Sequence, residues 1–327
     1  MKGTTMKRVV VITTGGSIAT KDGPIVGGAV PLLKGDDFLA LLPRDGVHLV
    51  FEEFSNLPGS HFTPVNALEL SQRIESTLLS PDVDGVVITH DTDTLEETAY
   101  LLDLTLKSIK PVVITGSLRV ATNPGYDGVT NLANAIRVAI APEARDQGVL
   151  VVFGDEVFAA NEVQNVHAHS QQAFQAPGCG PLGRIESQRI GLHHRLAHRQ
   201  HIPCARLEEM VDLIRLTQGA DDRLLRHSIE DGVAGIVIEA FGSGRVPPWW
   251  LPAIGEALAR RTVVAVTTRC LAGSLGDTYG YVGAYHDLTR LGVLIVHNLS
   301  GLKTRIKLMV ALGAARNQHE LRKWFQG

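Results

Sequence analysis

Residues 8–20 read RVVVITTGGSIAT, and this stretch decides the fold that we predict for the chain. The unbroken apolar run 9–12 predicts a strand buried on both faces, which is typical of parallel sheets. Gly15 and Gly16 follow it, and paired glycines let the backbone turn sharply and approach a ligand closely. In open parallel sheets, ligands bind beyond the carboxyl ends of the strands. The stretch therefore predicts a parallel sheet with a ligand-binding loop after its first strand.

Similar apolar runs recur along the chain, and amphipathic stretches with helical periodicity lie between them. The predicted strands are Arg8–Thr13, Val47–Phe54, Gly85–Thr89, Pro111–Thr115, Gly148–Phe153, Gly235–Glu239, Thr262–Thr267 and Gly292–Val296. The predicted helices are Asp36–Leu42, Val65–Leu79, Leu95–Leu106, Val129–Ala141, Asp221–Glu230, Pro252–Arg260 and Lys303–Ala314. Apolar strands that alternate with helices indicate a sheet covered on both faces. The expected fold class is therefore α/β with a doubly wound parallel sheet, because the long interruption in the middle of the chain argues against an eight-fold barrel.

The segment 190–209, IGLHHRLAHRQHIPCARLEE, interrupts this alternation. It is polar, rich in histidine and arginine, and lacks a helical or strand period. We therefore predict a larger N-terminal domain over residues 1–189, a linker over 190–209, and a smaller C-terminal α/β domain over 210–327.

Composition is that of an ordinary globular protein: of 327 residues, 44% are hydrophobic and 20% charged, and the net charge is −3. These values argue against disordered, collagen-like and coiled-coil proteins, and the lack of a long basic run argues against a nucleic-acid partner.

No apolar run approaches the ~18 residues that span a bilayer, and the run 9–12 is too short for the core of a secretory signal. The cysteines Cys179, Cys204 and Cys270 lack paired spacing, which suits a reducing compartment. We expect a cytoplasmic protein that does not bind membranes.

The first polar loop carries a hydroxyl, Ser17, directly after the paired glycines. A hydroxyl beside exposed backbone N–H groups is the minimum for attack on a carbonyl carbon with stabilisation of the oxyanion. A plain glycine turn without a catalytic role is the alternative that the spacing leaves open. The loop lacks the G-x-G-x-x-G of dinucleotide-binding proteins and the Gly-Lys-Ser/Thr of phosphate-binding loops.

A second polar loop follows the third predicted strand and reads HDTDTLEE over residues 90–97. Thr94 and Glu97 have the spacing of a capping box, which predicts the start of a helix. Capping does not require the neighbouring pair Thr92 and Asp93. A hydroxyl and a carboxylate at this edge can position a water or share a proton, although a loop that only caps the helix is the alternative reading.

Together, TGGSIA (14–19) and HDTDTLEETAY (90–100) resemble the two signatures of the bacterial-type asparaginase/glutaminase family. Other stretches agree with that family in one order along nearly the whole chain. They are GSLR (116–119), YDG (126–128), NLANAIRVA (131–139), GPLGRI (180–185), GIVIEAFGSG (235–244) and TYGYVGAY (278–285).

This resemblance implies a fold of one larger and one smaller α/β domain. It also implies a homo-oligomer, a dimer of dimers, with active sites at the dimer interface. The implied reaction is hydrolysis of the side-chain amide of asparagine, or of glutamine, to the acid and ammonia without a cofactor. By the resemblance, Ser17 stands where the family usually has its nucleophilic threonine, Thr92 is the second family threonine, and Asp93 is the aspartate beside it, which also helps to hold the substrate amine.

The resemblance implies substrate-binding positions as well. Gly16 belongs to the glycine loop whose N–H groups hold the oxyanion. Gly59 and Ser60 belong to the loop NLPGSHFT (56–63), which binds the α-carboxylate of the substrate. Asp91 stands where the family usually has glycine, so it adds a carboxylate beside the site.

Two further departures concern catalysis. Asn165, within EVQNVHAHS (162–170), falls where the family has a lysine. Asparagine can neither take up a proton nor supply a positive charge, so one means of activating Thr92 is missing. The segment 21–30, KDGPIVGGAV, has no counterpart of the family's lid tyrosine.

Three histidines, His61, His167 and His169, fall in segments that the family places near the site. A histidine can serve as a base, and we consider this role for His167 in particular. Ordinary surface or packed histidines are the alternative. Because no cysteine or carboxylate stands at zinc-ligand spacing near the histidine-rich stretches, we expect no metal site.

Three functions follow as hypotheses. The first is an amidohydrolase of the asparaginase type acting on a small amino-acid amide. The second is a hydrolase of a different amide, N-substituted or cyclic, which the missing lysine and tyrosine and the extra Asp91 would suit. The third is a catalytically weak relative that binds an amino acid.

Overall fold

Two parallel-rich sheets organise the computed structural model of the chain, which describes residues 6–22, 29–31, 42, 46–187, 189–196, 199–276 and 279–326. The chain divides into two units, 1–201 and 202–327, and each sheet lies within one unit. Of the predicted helix Asp36–Leu42, residues 36–41 lie outside the described residues. Residues 23–28 also lie outside them; they belong to the segment 21–30, which has no counterpart of the family's lid tyrosine.

The first unit contains an eight-stranded sheet and two short hairpins. Its strands in chain order are β1 Lys7–Gly15, β2 Thr20–Asp22, β3 Ala29–Pro31, β4 Val47–Leu57, β5 Gly85–Thr89, β6 Val112–Thr115, β7 Val149–Phe153, β8 Glu156–Ala159, β9 Gln164–Asn165, β10 Phe174–Gln175, β11 Gly183–Ile185 and β12 Ile190–Leu192. The large sheet has the order β12-β11-β8-β7-β6-β5-β1-β4, and β2–β3 and β9–β10 form the hairpins. Strands β4, β1, β5, β6 and β7 are parallel, whereas β8, β11 and β12 are antiparallel.

The order of the parallel strands creates a switch point between β1 and β5. After β1 the chain forms β4 on one side of it and then crosses to form β5 on the other side. The two strands are in register, with Thr13 opposite Thr89. Because the chain passes to opposite sides of β1 in turn, the point beyond the carboxyl ends of these two strands is where such folds bind ligands.

The helices of the first unit are α1 Pro64–Leu78, α2 Leu95–Thr105 and α3 Gly128–Ala139. Helix α1 begins with a capping box: Thr63 Oγ1 accepts the N–H of Asn66 at 3.2 Å, and Asn66 Oδ1 accepts the N–H of Thr63 at 3.0 Å. The capping box predicted at Thr94 is wrong, because the Thr94 side chain makes no capping bond. Its hydroxyl instead donates to the Gly59 carbonyl at 3.1 Å, so it joins two loops.

The core of the first unit is built from strand residues that alternate between the two faces of the sheet. On one face, the fully buried Val9 and Val11 belong to the same apolar cluster as Leu132 and Ala135 of α3. Each fully buried valine or leucine side chain contributes roughly 1.5–3 kcal/mol. This packing fixes the strands, and thereby the loops at their carboxyl ends.

The second unit has a four-stranded parallel sheet in sequential order. Its strands are β13 Val211–Arg215, β14 Gly235–Ala240, β15 Val263–Thr268 and β16 Leu294–Ile295, and its helices are α4 Arg223–Glu230, α5 Leu251–Ala259, α6 Tyr285–Leu291, α7 Gly301–Ala314 and α8 Gln318–Lys323. Trp250, 1% exposed, lies in its apolar core.

Several boundaries differ from those predicted. Sequence patterns did not predict β13, because Asp212 and Arg215 interrupt its apolar run. They also missed the short helices α6 and α8, and they extended the last strand to 292–296. The first residues of the predicted linker 190–209 form β12, the edge strand of the large sheet.

Candidate active site

The glycine loop after β1 lies against the loop after β5. Gly15 and Gly16 have φ angles of 106° and 82°, in the left-handed region that favours glycine. A Cβ atom on Gly16 would lie 2.6 Å from the Cα atom of Asp91, so no other residue fits there without moving the backbone. The glycine pair is therefore required both by its backbone conformation and by the close approach of the second loop.

A third loop, after β4, meets the same point. A Cβ atom on Gly59 would lie 2.8 Å from the Cβ atom of Asp91. Asp91 is 9% exposed, and its side chain thus sits between the two glycine backbones. The structure brings together the predicted positions Gly16, Gly59 and Asp91, and Ser60 is exposed immediately beside Gly59.

Ser17 begins a short 3-10 helix, Ser17–Ala19, and is half-buried. Two hydrogen bonds fix the segment around it. Thr14 Oγ1 donates to the carbonyl of Thr89 at 2.9 Å, which joins the ends of β1 and β5. The hydroxyl of Tyr126 donates to the carbonyl of Ile18 at 2.6 Å. Burial, together with the charge of nearby Asp127, raises the pKa of Tyr126, so this donor stays protonated.

Thr92 and Asp93 differ in exposure although they are adjacent. Thr92 is 8% exposed, and a Cβ atom on Gly116, in the loop after β6, would lie 3.5 Å from its methyl carbon. Asp93 is exposed, and its N–H donates to Asp91 Oδ1 at 3.0 Å. Partial desolvation of the Asp93 carboxyl and, to a lesser extent, the charge of Asp91 raise the pKa of Asp93.

Asn165 contacts the backbone of the second loop. Its side-chain nitrogen donates to the Thr92 carbonyl at 3.4 Å, and its N–H donates to Glu96 Oε2 at 2.9 Å. Glu96, in the first turn of α2, is 7% exposed. The residue at the position that the resemblance assigns to a lysine is therefore an uncharged amide beside Thr92.

The histidines considered as bases are all exposed. The Nδ1 atom of His167 accepts the N–H groups of His169 and Ser170, each at 3.0 Å. In neutral imidazole only one ring nitrogen has a lone pair available to accept a proton. Since backbone donors already occupy that nitrogen, the geometry disfavours His167 as a general base.

Sequence reasoning gave no site role to His90 or Tyr126, although both hold the site loops. His90, which immediately precedes Asp91, is 1% exposed. The sequence signal for His90 was its position between an apolar strand and a polar loop. A buried imidazole at such a point needs hydrogen-bond partners, which indicates a role in holding the loop. For Tyr126 the sequence offered only its place in the YDG stretch.

Metal-ion clusters and membrane-spanning helices are two further features that the described residues could contain. Within those ranges, no group of three histidine, cysteine or acidic side chains is arranged to hold a metal ion. In the same part of the chain, no helix has the length and apolar character to cross a membrane. The three cysteines are free.

Both units match known families. Residues 8–198 match the family described as "Asparaginase, N-terminal", and residues 210–325 match the "Glutaminase/Asparaginase C-terminal domain". These two matches cover most of the chain.

Individual proteins match over nearly their full lengths. The chain is 37% identical to L-asparaginase of Bacillus licheniformis, over 94% of this chain and 96% of that protein. It is 36% identical to a probable L-asparaginase of Deinococcus radiodurans, over 98% and 97% of the two chains. Among solved structures, a probable cytoplasmic L-asparaginase from Campylobacter jejuni aligns with a TM-score of 0.87 at 28% identity, over 98% of this chain and 99% of that one.

Proposed function

The chain belongs to the asparaginase family, and from that premise we propose that it hydrolyses the side-chain amide of L-asparagine to aspartate and ammonia. Glutamine, the homologous amide, is the natural second substrate to test. The two-domain α/β fold predicted from the sequence is confirmed by the family matches and by the structural neighbour.

One observation carries the proposal: the loops after β1, β4 and β5 meet at Asp91. Gly16 and Gly59 both contact that residue. Ser17 follows Gly16, and Thr92 follows Asp91, so two hydroxyl-bearing residues that are distant in sequence flank one point of contact. This arrangement supports Ser17 and Thr92 as two hydroxyls of one site.

In the proposed reaction, Ser17 Oγ attacks the carbon of the substrate amide as its proton is transferred away. N–H groups of the glycine loop stabilise the oxyanion. The C–N bond then breaks, the nitrogen takes up the proton that Ser17 released, and ammonia leaves. Water, oriented by Thr92, attacks the acyl-enzyme ester, releasing the acid and restoring the serine hydroxyl. Covalent catalysis of this type divides one difficult displacement into two easier ones.

Asp93 is proposed to hold the substrate ammonium group. Its carboxylate is exposed, and the bond from its backbone N–H to Asp91 Oδ1 fixes the backbone that carries this side chain. Gly59 and Ser60 are proposed to bind the α-carboxylate. Asn165 supplies no charge, so activation of Thr92 must rely on groups other than a lysine at this position.

The test is ammonia release from asparagine and glutamine. We expect Ser17→Ala to lower kcat at least about a thousandfold, as loss of a nucleophile does, and Thr92→Val to lower it roughly a hundredfold or more. Ser76→Ala on α1 and Thr130→Val on α3 are matched controls that change the same atoms at exposed positions on helices. Equal rates in Ser17→Ala and the native protein would exclude Ser17 as nucleophile.

The position of Asp91 favours a second candidate substrate class. A Cβ atom on Gly59 would lie 2.9 Å from Asp91 Oδ1, so a carboxylate lies against the loop proposed to bind the α-carboxylate. Like charges at this distance repel each other. A substrate whose α-carboxylate is masked or missing, such as an N-substituted or cyclic amide without that group, would avoid the repulsion. A panel of such amides measured beside asparagine decides between the two classes.

We also propose that the protein acts in the cytoplasm as a homo-oligomer, a dimer of dimers. The structural relative from Campylobacter jejuni is named as a probable cytoplasmic L-asparaginase, which supports the compartment. Sedimentation equilibrium of the purified chain measures the number of subunits directly, and a monomer that is fully active would contradict the proposed assembly.

A further inference from the structure

His90 is a buried imidazole whose two ring nitrogens are both bonded. Its Nδ1 atom lies 2.9 Å from the carbonyl oxygen of Asp91, and its Nε2 atom lies 3.1 Å from Thr98 Oγ1. Thr98 belongs to α2, so the ring connects the second polar loop to the helix that follows it.

These partners determine the tautomer of His90. A carbonyl oxygen can only accept a hydrogen bond, so Nδ1 must carry the proton and donate it. In the neutral ring Nε2 then has the lone pair, which accepts the hydroxyl of Thr98. Burial lowers the pKa of His90, which keeps the ring neutral near pH 7.

The ring also contacts the loop after β4. Phe62 packs edge-on against it, with ring centroids 4.7 Å apart. The backbone N–H of His90 donates to the Thr115 carbonyl at 2.8 Å, which anchors the residue to β6. His90 is thus fixed by three neighbouring elements, while its only ring donor is directed at the peptide that joins Asp91 to Thr92.

We propose that His90 is a positioning residue that sets the orientation of the Asp91–Thr92 peptide, and thereby of the Thr92 hydroxyl, through its Nδ1–H bond. This inference rests on the proposed function, in which Thr92 orients the water. It assigns a role to a residue that never touches the substrate. A displacement of about 1 Å at a reacting group can cost roughly a hundredfold in rate, so losing this bond should lower kcat more than it raises KM.

Conservative variants isolate the bond. In His90→Asn, the side-chain nitrogen Nδ2 can stand where Nδ1 stands, so the donor to Asp91 is kept. His90→Gln places its amide nearer to the position of Nε2, and His90→Leu has no donor. We expect His90→Leu and His90→Gln to lower kcat for asparagine about ten- to a hundredfold with KM changed less than about threefold. His90→Asn should keep kcat within about threefold of the native value.

Two controls separate positioning from general loss of stability. Ile185→Ala removes buried atoms from β11, which three strands separate from β5, so it should destabilise the protein without lowering kcat. Thr98→Ser keeps the hydroxyl that Nε2 accepts, whereas Thr98→Val removes it. We expect only Thr98→Val to reduce kcat.

A second measurement does not depend on the substrate. Hydrogen exchange of the peptide covering residues 91–95 should be faster in His90→Leu than in His90→Asn, because the loop has lost its anchor. Equal exchange in these two variants, or equal kcat losses, would overturn the proposal. If the native protein releases no ammonia from asparagine, the proposed function fails, and the exchange comparison still decides the role of His90.

Discussion

Gly16 and Asp91 are in backbone contact although 75 positions separate them: a Cβ atom on Gly16 would lie 2.6 Å from the Asp91 Cα atom. This contact is made because β1 and β5 are parallel neighbours, with Thr13 opposite Thr89, so their loops leave the sheet side by side. The proposed nucleophile and the second proposed hydroxyl each follow one of these two residues in the chain.

Gly16→Ala should therefore be much more damaging than an alanine at a glycine that has a similar positive φ but no described residue close to its Cβ position. Gly46 provides that control, since its φ is 76° and a Cβ atom there would meet no described residue within 4 Å. We expect Gly46→Ala to cost about 1–2 kcal/mol of unfolding free energy, the cost of a left-handed L-residue. Gly16→Ala should cost more and should also reduce ammonia release. Denaturant unfolding of both variants measures the difference, and equal losses would show that the loops do not touch.

Asp91→Asn should shift the acid limb of the pH profile. Desolvation raises the pKa of Asp93, and the charge of Asp91 raises it further. The substitution removes only the second cause, while asparagine Oδ1 can still accept the Asp93 N–H. The pKa of Asp93 should fall, so its carboxylate persists to lower pH and the acid limb of kcat/KM moves down in pH. If the acid limb of kcat/KM does not move, Asp93 does not control it, and its proposed role in substrate binding is contradicted.

Asn165→Lys should increase turnover. The amide nitrogen of Asn165 donates to the Thr92 backbone carbonyl at 3.4 Å, so a lysine side chain would start beside Thr92 and is long enough to extend along it. Acid–base assistance is typically worth a hundredfold or more, and we expect a gain of roughly tenfold on an unadapted background. Asn165→Met has similar length without the amine and serves as control. If Asn165→Lys and Asn165→Met raised kcat equally, the lysine amine would not be the cause of the increase.

Tyr126→Phe removes one hydroxyl that donates to the Ile18 carbonyl. The carbonyl would lose a partner at a half-buried position, which should destabilise the protein by about 1 kcal/mol. Because Ile18 follows Ser17, kcat should fall while the affinity for aspartate, a product, changes little. Steady-state kinetics and calorimetric titration with aspartate measure the two effects, and a fall in affinity alone would contradict the expectation.

The stability of the protein should decline on mild acidification because of His90. Burial lowers the pKa of His90 in the folded chain and outweighs the opposing effects of the Asp91 carbonyl and charge. The unfolded chain takes up this proton near pH 6.5, the ordinary histidine value. Above that pH the free energy of unfolding therefore does not depend on His90 protonation. Below it, the free energy of unfolding falls by about 1.4 kcal/mol per pH unit until the pKa of His90 in the folded chain is reached. The thermal midpoint of His90→Asn should depend less on pH between 7.5 and 5 than that of the native protein.

Local patterns predicted most of the large sheet. The run at 85–89 became β5 with the predicted bounds, because β-branched residues buried on both faces give an unambiguous signal. β13 was missed because charged residues at an edge position break that signal. The capping box at Thr94 failed for a tertiary reason: the hydroxyl donates across to the Gly59 carbonyl, a partner 35 residues away.

The sequence by itself determined the parallel α/β pattern, the family, and the two loops that carry Ser17, Thr92 and Asp93. Those features rest on residue type and spacing, which are local properties of the chain. Only the tertiary structure decided that Asp91 lies between Gly16 and Gly59, and that the His90 imidazole faces the Asp91 carbonyl. Both depend on which strands become neighbours in the sheet, and that order is set by the packing of the whole unit rather than by any single segment.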